Sequence, residues 1–347
     1  MTPPLVSVVV PVLDRERDIG RCVEALLDQD YPRYEVLVVD NNSRDGTREV
    51  VRRYPVQLLE EPRRNPYTAR NRGVAAAKGE IVAFTDSDCA PTREWLRLLV
   101  DCYGEPGVGG AGGALAPLPP ATVVERFLAL GRLQIFEAAR HSDLRRDPRR
   151  FLSGGVGSAN MSYRRQVLTS LGGFDDRFAR FCGSYDLCWR VQAAGYRVVF
   201  EPGALVHHRM RGSLVAMCRQ FFSFGIGQIH LFRRWAPRET RIQLRSYLLP
   251  PRELQVRSPL PAWVSLDAAH AALLALAASA VWPRLLIAGL PLALAVAAGA
   301  LAASHGVVRR TGATSWYLLF PLLHLVRVAA LTAGRIAGGL RHRVLAL

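Results

Sequence analysis

Residues 81–91 read IVAFTDSDCAP, a short apolar run that breaks off into two aspartates and a proline. Ile81 to Thr85 suit a buried strand, four of the five being apolar. Asp86 and Asp88 then stand two residues apart, where their carboxylates repel unless something positive comes between them. A solvated turn with Asp88 capping a helix that starts near Thr92 would explain the pattern locally. The sequence on either side favours a different account.

Ser7–Val10, Glu35–Val39, Val56–Leu59 and Ile81–Thr85 read as strands. The helical patterns between them are Ile19–Leu27, Thr47–Arg53 and Thr68–Ala77. Such alternation predicts an α/β fold, a mostly parallel sheet with helices on both faces. Ligands of these sheets bind outside the carboxyl ends of the strands. Asp40 follows the second strand and Asp86 and Asp88 the fourth, so both acidic sites fall on one edge. Paired carboxylates are hard oxygen ligands suited to Mg²⁺ or Mn²⁺, ions that bridge to substrate phosphates. No G-x-G-x-x-G follows the first strand, which argues against a nicotinamide cofactor, and no G-x-x-x-x-G-K is present. A metal-bound diphosphate without a phosphate loop points to a nucleotide sugar.

Charge is unevenly distributed. Residues 201–347 hold 17 Arg, no Lys and 4 acidic residues, whereas residues 1–200 are nearly balanced. The basic residues flank long apolar runs, which favours a membrane partner over nucleic acid. From Ala268 to Ser304 the one charged residue is Arg284, beside Pro283. Residues 263–304 are therefore expected to form a transmembrane hairpin, with Leu285–Ala303 its stronger half. Residues 236–262 read as a basic juxtamembrane linker. Within 314–343, His324, Arg327, Arg335 and His342 share one helical arc while leucines lie away from it. That segment is expected to lie in the membrane interface or to cross as a third span. No signal peptide is read at the N-terminus. The six cysteines form no C-x-x-C pair, so free thiols are expected rather than a zinc site or a disulfide framework.

Five stretches together resemble the family 2 inverting glycosyltransferases of the GT-A, nucleotide-diphospho-sugar type, over roughly residues 5–235. They are SVVVPVLDRERDI, VLVVDNNSRDGT, ARNRGVAAAKGEIVAFTDSDCAP, GSANMSYRRQVLTSLGGFDDRF and YDLCWRVQAAGYRVVFEPGALVHHR. The resemblance implies a GT-A domain over 1–235 followed by membrane helices. It implies donor-binding roles for Pro11, Asp14, Asp40 (towards the nucleobase), Arg70, Asn71, Asp86 and Asp88. Asp86 and Asp88 would hold the metal, with Asp88 the more direct ligand. Asn160 and Trp189 would meet the acceptor, and His207 and His208 would face phosphate or a lipid head group.

One departure concerns catalysis. Where the family has Glu-Asp before the aspartate of x-D-L-x-x-R, this chain has Gly183 and Ser184, and only Asp186 keeps a carboxylate. A serine is no base near neutral pH without a partner. Either Asp186 is the base, with a structural pairing to Arg190 as its other role, or the base comes from elsewhere in the chain, or the enzyme is impaired. The function expected is transfer of a sugar from a nucleoside-diphosphate donor to a hydroxyl on a lipid-linked or surface glycan, at the inner membrane with the catalytic domain cytoplasmic. A degenerate nucleotide-sugar-binding or scaffold protein is the second expectation.

Overall fold

The structure is a computed structural model of the chain and describes residues 2–130, 142–144, 152, 155–178, 180–245, 252–258, 261–267 and 286–346. It divides into two compact units, residues 1–121 with 131–210, and residues 122–130 with 211–347.

The first unit is built on β1 (Val6–Val12), α1 (Ile19–Leu27), β2 (Tyr34–Asp40), α2 (Thr47–Val51), β3 (Gln57–Glu60), α3 (Pro66–Ala76) and β4 (Ile81–Phe84). Valine fills five of the seven positions of β1, and every residue of that strand is buried, as a central strand covered on both faces requires. Asn65 starts α3 by accepting the Tyr67 N–H, and Pro66 occupies the first turn, where its missing donor costs nothing. β1 pairs in parallel with β2 and β4, and β2 with β3. Val12 lies opposite Asp40 and Val9 opposite Phe84, so β2 and β4 discharge onto the same edge.

The chain continues through β5 (Cys89–Pro91), α4 (Trp95–Asp101) and β6 (Val108–Pro117), and then, past α5, through β7 (Ser142–Asp143), β8 (Met161–Arg164), α6 (Arg165–Ser170), α7 (Gly183–Ala193) and β9 (Arg197–His208); α5 (Val123–Leu130) belongs to the second unit. These strands make the sheet mixed. β8 runs antiparallel between β4 and β6, β9 lies parallel to β6, and β5 runs antiparallel to β9. The main order is β3-β2-β1-β4-β8-β6-β9-β5. Val8, Val10, Val38, Ala83, Trp95, Leu96, Val199 and Val206 share one core beneath the edge.

In the second unit, α5 opens with a reciprocal cap. Thr122 Oγ accepts the Glu125 N–H and Glu125 accepts the Thr122 N–H. α8 (Leu214–Trp235) is capped by Ser213, which accepts from the Ala216 N–H. Where the sequence suggests a basic linker and the start of a hairpin, there is instead a four-stranded sheet. Its strands are β10 (Glu239–Arg245), β11 (Arg252–Arg257), β12 (Ala262–Asp267) and β13 (Leu345–Ala346), in the order β11-β10-β12-β13. β10 alternates Thr240, Ile242 and Leu244 with polar residues, a strand period that its high charge disguises. The charge is accommodated because Arg241, almost wholly buried, pairs with Glu239 at 2.8 Å. The first half of the expected hairpin falls on 268–285, outside the described residues. Its second half is a helix, Leu286–Thr311, with Arg309 and Arg310 in the last turn, where they complement the helix dipole.

The Trp316–His342 helix is, among the described residues, the one long and apolar enough to cross a membrane. It packs along α8 through glycines. A Cβ on Gly334 would lie 2.0 Å from the Phe222 carbonyl oxygen, and one on Gly225 would lie 2.4 Å from that of Leu331. Small residues let the two backbones touch. The basic arc of this helix does not face outward as the sequence suggests. Arg327 lies over the Phe221 ring at 5.3 Å, Arg335 donates to Gln228 at 2.9 Å and lies over Trp263 at 4.6 Å, and His342 stacks on His230. Leu318, Leu322 and Leu340 are among the exposed residues of this helix, at 75%, 52% and 82%.

Candidate functional site

Three loops meet at the carboxyl edge of the sheet. The loop after β1 is stapled to the loop after β2, with Asp14 N–H donating to Ser43, Asp14 accepting from the Arg44 N–H at 2.7 Å, and the Arg15 N–H donating to Thr47. Asp14 adopts left-handed backbone at φ 52° and pairs with Arg64 at 3.4 Å. Pro11 is buried in β1 beneath this junction. Asp40, fully buried, accepts from the Ser43 N–H and binds Arg48 at 2.7 Å. Its carboxylate thus shapes the loop after β2.

At the end of β4 the two aspartates part company. Asp86 binds Arg70 at 2.5 Å. The Arg70 guanidinium is buried and lies against the rings of Tyr67 and Phe174, 5.6 and 5.9 Å from their centres. The two rings stack on each other, and the guanidinium beside them forms a charge-assisted hydrogen bond with Asp86. Asp88 turns the other way. Its carboxylate lies 3.4 Å from His208 Nε2 at the end of β9 and 3.8 Å from Arg15. His208 is buried, and its Nδ1 finds no hydrogen-bond partner among the described residues. A buried carboxylate facing an imidazole with an orphaned nitrogen is a fitting donor set for a divalent cation. Of Asp86 and Asp88, both expected to bind metal, Asp88 is the one placed in this cluster.

The remaining expected residues are structural in this arrangement. Asn71 clamps the turn at 172–174, donating to the Phe174 carbonyl and accepting its N–H, both at 2.8 Å. Asn160 is buried and saturated: it accepts from Trp95 Nε1 and donates to the carbonyls of Ala114 and Ala204. Both of its amide N–H donors are thereby used inside the fold. Trp189 is 1% exposed and packs edge-on to Tyr185. Asp186 is fully buried and bound to Arg190 at 2.9 Å, and Arg190 also donates to the carbonyls of Leu171 and Gly173. The pairing with Arg190 is the structural role given above as the alternative for Asp186.

Gly183 stands where the family has Glu because Tyr67 occupies the space. A Cβ there would lie 2.5 Å from the Tyr67 ring, and the Tyr67 hydroxyl accepts the Gly183 N–H at 2.9 Å. Burial pushes the Tyr67 hydroxyl far up from its ordinary range, with the Arg70 charge opposing the rise. Two contributors are not found by following the sequence alone, Arg15 and Tyr67, and for His208, singled out there as facing phosphate or a lipid head group, the pairing with Asp88 is new.

In three dimensions the chain is similar to a mannosyltransferase from Pyrobaculum calidifontis solved with GDP-Man and Mn²⁺. The TM-score is 0.55 at 21% identity, covering 96% of this chain and 87% of the other. It is also similar to GalNAc-T7 solved with UDP, GalNAc and Mn²⁺, with TM-score 0.52 at 15% identity, covering 67% of this chain and 48% of that one. The fold is that of the GT-A glycosyltransferases. Residues 7–171 match the Glycosyl transferase family 2 domain. Glycosyltransferase AglE of Haloferax volcanii is 31% identical over 245 residues, 67% of this chain and 75% of that protein. The Pre-mycofactocin glycosyltransferase of Mycobacterium tuberculosis is 31% identical over 215 residues, 60% of this chain and 43% of that protein. The chain belongs to glycosyltransferase family 2.

Proposed function

We propose that this glycosyltransferase moves a sugar, with inversion, from a nucleoside-diphosphate donor to an acceptor on a lipid-linked or surface glycan. The observation carrying this is the meeting of Asp88 with His208 beside the Asp86–Arg70 pair at the carboxyl edge of the sheet. Asp88 and His208 would hold the cation, and imidazole in the set favours Mn²⁺ over Mg²⁺. When bound, the cation supplies positive charge to the departing diphosphate. Arg70 fixes Asp86, and the stapled loops carrying Asp14 and Arg15, joined by Arg64 from the loop after β3, offer the nucleotide a wall held by hydrogen bonds and an ion pair. Proton removal from the acceptor does not run through Asp186.

Membrane attachment is supported by the second unit. The Trp316–His342 helix turns Arg327 and Arg335 inward and leaves Leu318, Leu322 and Leu340 exposed, the arrangement a lipid environment selects. Arg309 and Arg310 lie in the last turn of the Leu286–Thr311 helix, and the positive-inside bias favours a catalytic unit on the cytoplasmic side of the inner membrane. A second reading, a nucleotide-sugar-binding or scaffold protein, is favoured by Gly183–Ser184 alone. A panel of nucleotide sugars with Mn²⁺ separates the two: thermal stabilisation together with release of nucleoside diphosphate supports the enzyme. Stabilisation with no turnover on any acceptor fraction supports the binder, and stabilisation by no member of the panel defeats both.

A further inference from the structure

The cation site contains a thiol. β5 runs antiparallel to β9 with Cys89 directly opposite His208, and directly paired residues project to the same face of a sheet. Cys89 Sγ lies 4.0 Å from Asp88 Oδ1, His208 Nε2 lies 3.4 Å from that same oxygen, and all three donor atoms fall within 4.8 Å of one another. Tetrahedral zinc bond lengths imply donor separations of about 3.4 Å for nitrogen to oxygen and about 3.6 Å for sulfur to oxygen. The cluster is therefore close to the size that a tetrahedral cation requires. All three side chains are buried, so none is lost to solvent.

Building on the proposed metal-dependent transfer, we infer that Asp88, Cys89 and His208 form a three-ligand site for a thiophilic divalent cation, Zn²⁺, which competes with the catalytic cation and blocks donor binding. Thiolate and imidazole select zinc and cadmium, whereas a harder ion such as Mn²⁺ prefers oxygen and leaves the thiol protonated. Binding replaces the thiol proton: Cys–SH and M²⁺ give a metal thiolate and release H⁺. Three protein ligands leave a tetrahedral ion one open position, too few for the two phosphate oxygens of a bridging diphosphate. Zn²⁺ therefore occupies the site without supporting transfer.

The test uses the full chain, free of metal and of donor, titrated with Cd²⁺ and followed by ultraviolet absorption. A thiolate-to-cadmium charge-transfer band saturating at one equivalent is expected. Cys89→Ser should abolish it. Cys218→Ser, at a half-buried thiol in α8, should keep it, and His208→Gln should weaken Cd²⁺ affinity about tenfold or more, as loss of one of three ligands implies. Zn²⁺ should displace Cd²⁺ and raise the Mn²⁺ needed for donor binding. Absence of the band in the native protein, or its persistence in Cys89→Ser, overturns the inference. If Cys89→Ser does not fold by circular dichroism, an undiminished Cd²⁺ affinity in His208→Gln overturns it equally. Because the band needs no donor, a failure of Mn²⁺-dependent donor binding would defeat the proposed function and leave this site standing.

Discussion

Replacing Asp186 by Asn distinguishes a structural carboxylate from a catalytic one. Asp186 is fully buried, and its partner Arg190 has only 15% of its side chain exposed. Removing one member of a buried ion pair costs about 3–5 kcal/mol, because the other charge is left uncompensated. Here Arg190 keeps the carbonyls of Leu171 and Gly173, at 2.8 and 2.6 Å, so the cost belongs at the lower end, about 3 kcal/mol. For a unit of this size each kcal/mol lowers the melting temperature by roughly 2–4 °C, giving a fall of about 6–12 °C. The asparagine is nearly isosteric and can still accept one hydrogen bond, so the variant should fold. Its turnover at a temperature well below the melt should stay within about tenfold of native, far from the ~10²–10⁴-fold loss that follows removal of a general base. Thermal melts and initial rates on one preparation decide the matter. A variant melting within about 1 °C of native, yet slowed by the full worth of a general base, would refute the structural assignment.

Asp88→Ala should abolish Mn²⁺-dependent donor binding in calorimetry while leaving the melt of the donor-free protein close to native; unchanged affinity would remove Asp88 from the cation site. Gly334→Leu should force the Trp316–His342 helix away from α8, since even a Cβ there meets the Phe222 carbonyl at 2.0 Å. Overpacking of this kind costs about 1–3 kcal/mol or more, and an unchanged melt of the second unit would contradict the close glycine crossing. A reporter fused after Arg310 should report the cytoplasm, and an external signal would reverse the proposed orientation.

The sequence determined the edge on which the site lies. In a parallel βα alternation every strand ends on the same side, so Asp40 and the Asp86–Asp88 pair had to converge, and the register of β1 with β2 and β4 places them so. The strand run and the two spaced aspartates are local patterns, and local patterns survive in one dimension. The mixed half of the sheet did not, because β8, β9 and β5 are defined by pairing across long separations in the chain. The same limit governs the site. Asp88 meets His208 through the pairing of β5 with β9, and no spacing in the chain encodes that contact. Asn160, Trp189 and Asp186 sit in stretches that resemble functional motifs, yet each is buried with its polar atoms engaged or its ring packed. A side chain's chemistry is fixed by its type, but its availability depends on which partners folding brings to it. Periodicity likewise established that His324, Arg327, Arg335 and His342 share a face of one helix. Only packing against α8 decided that this face turns inward, because a period tells which residues lie together and not what they lie against.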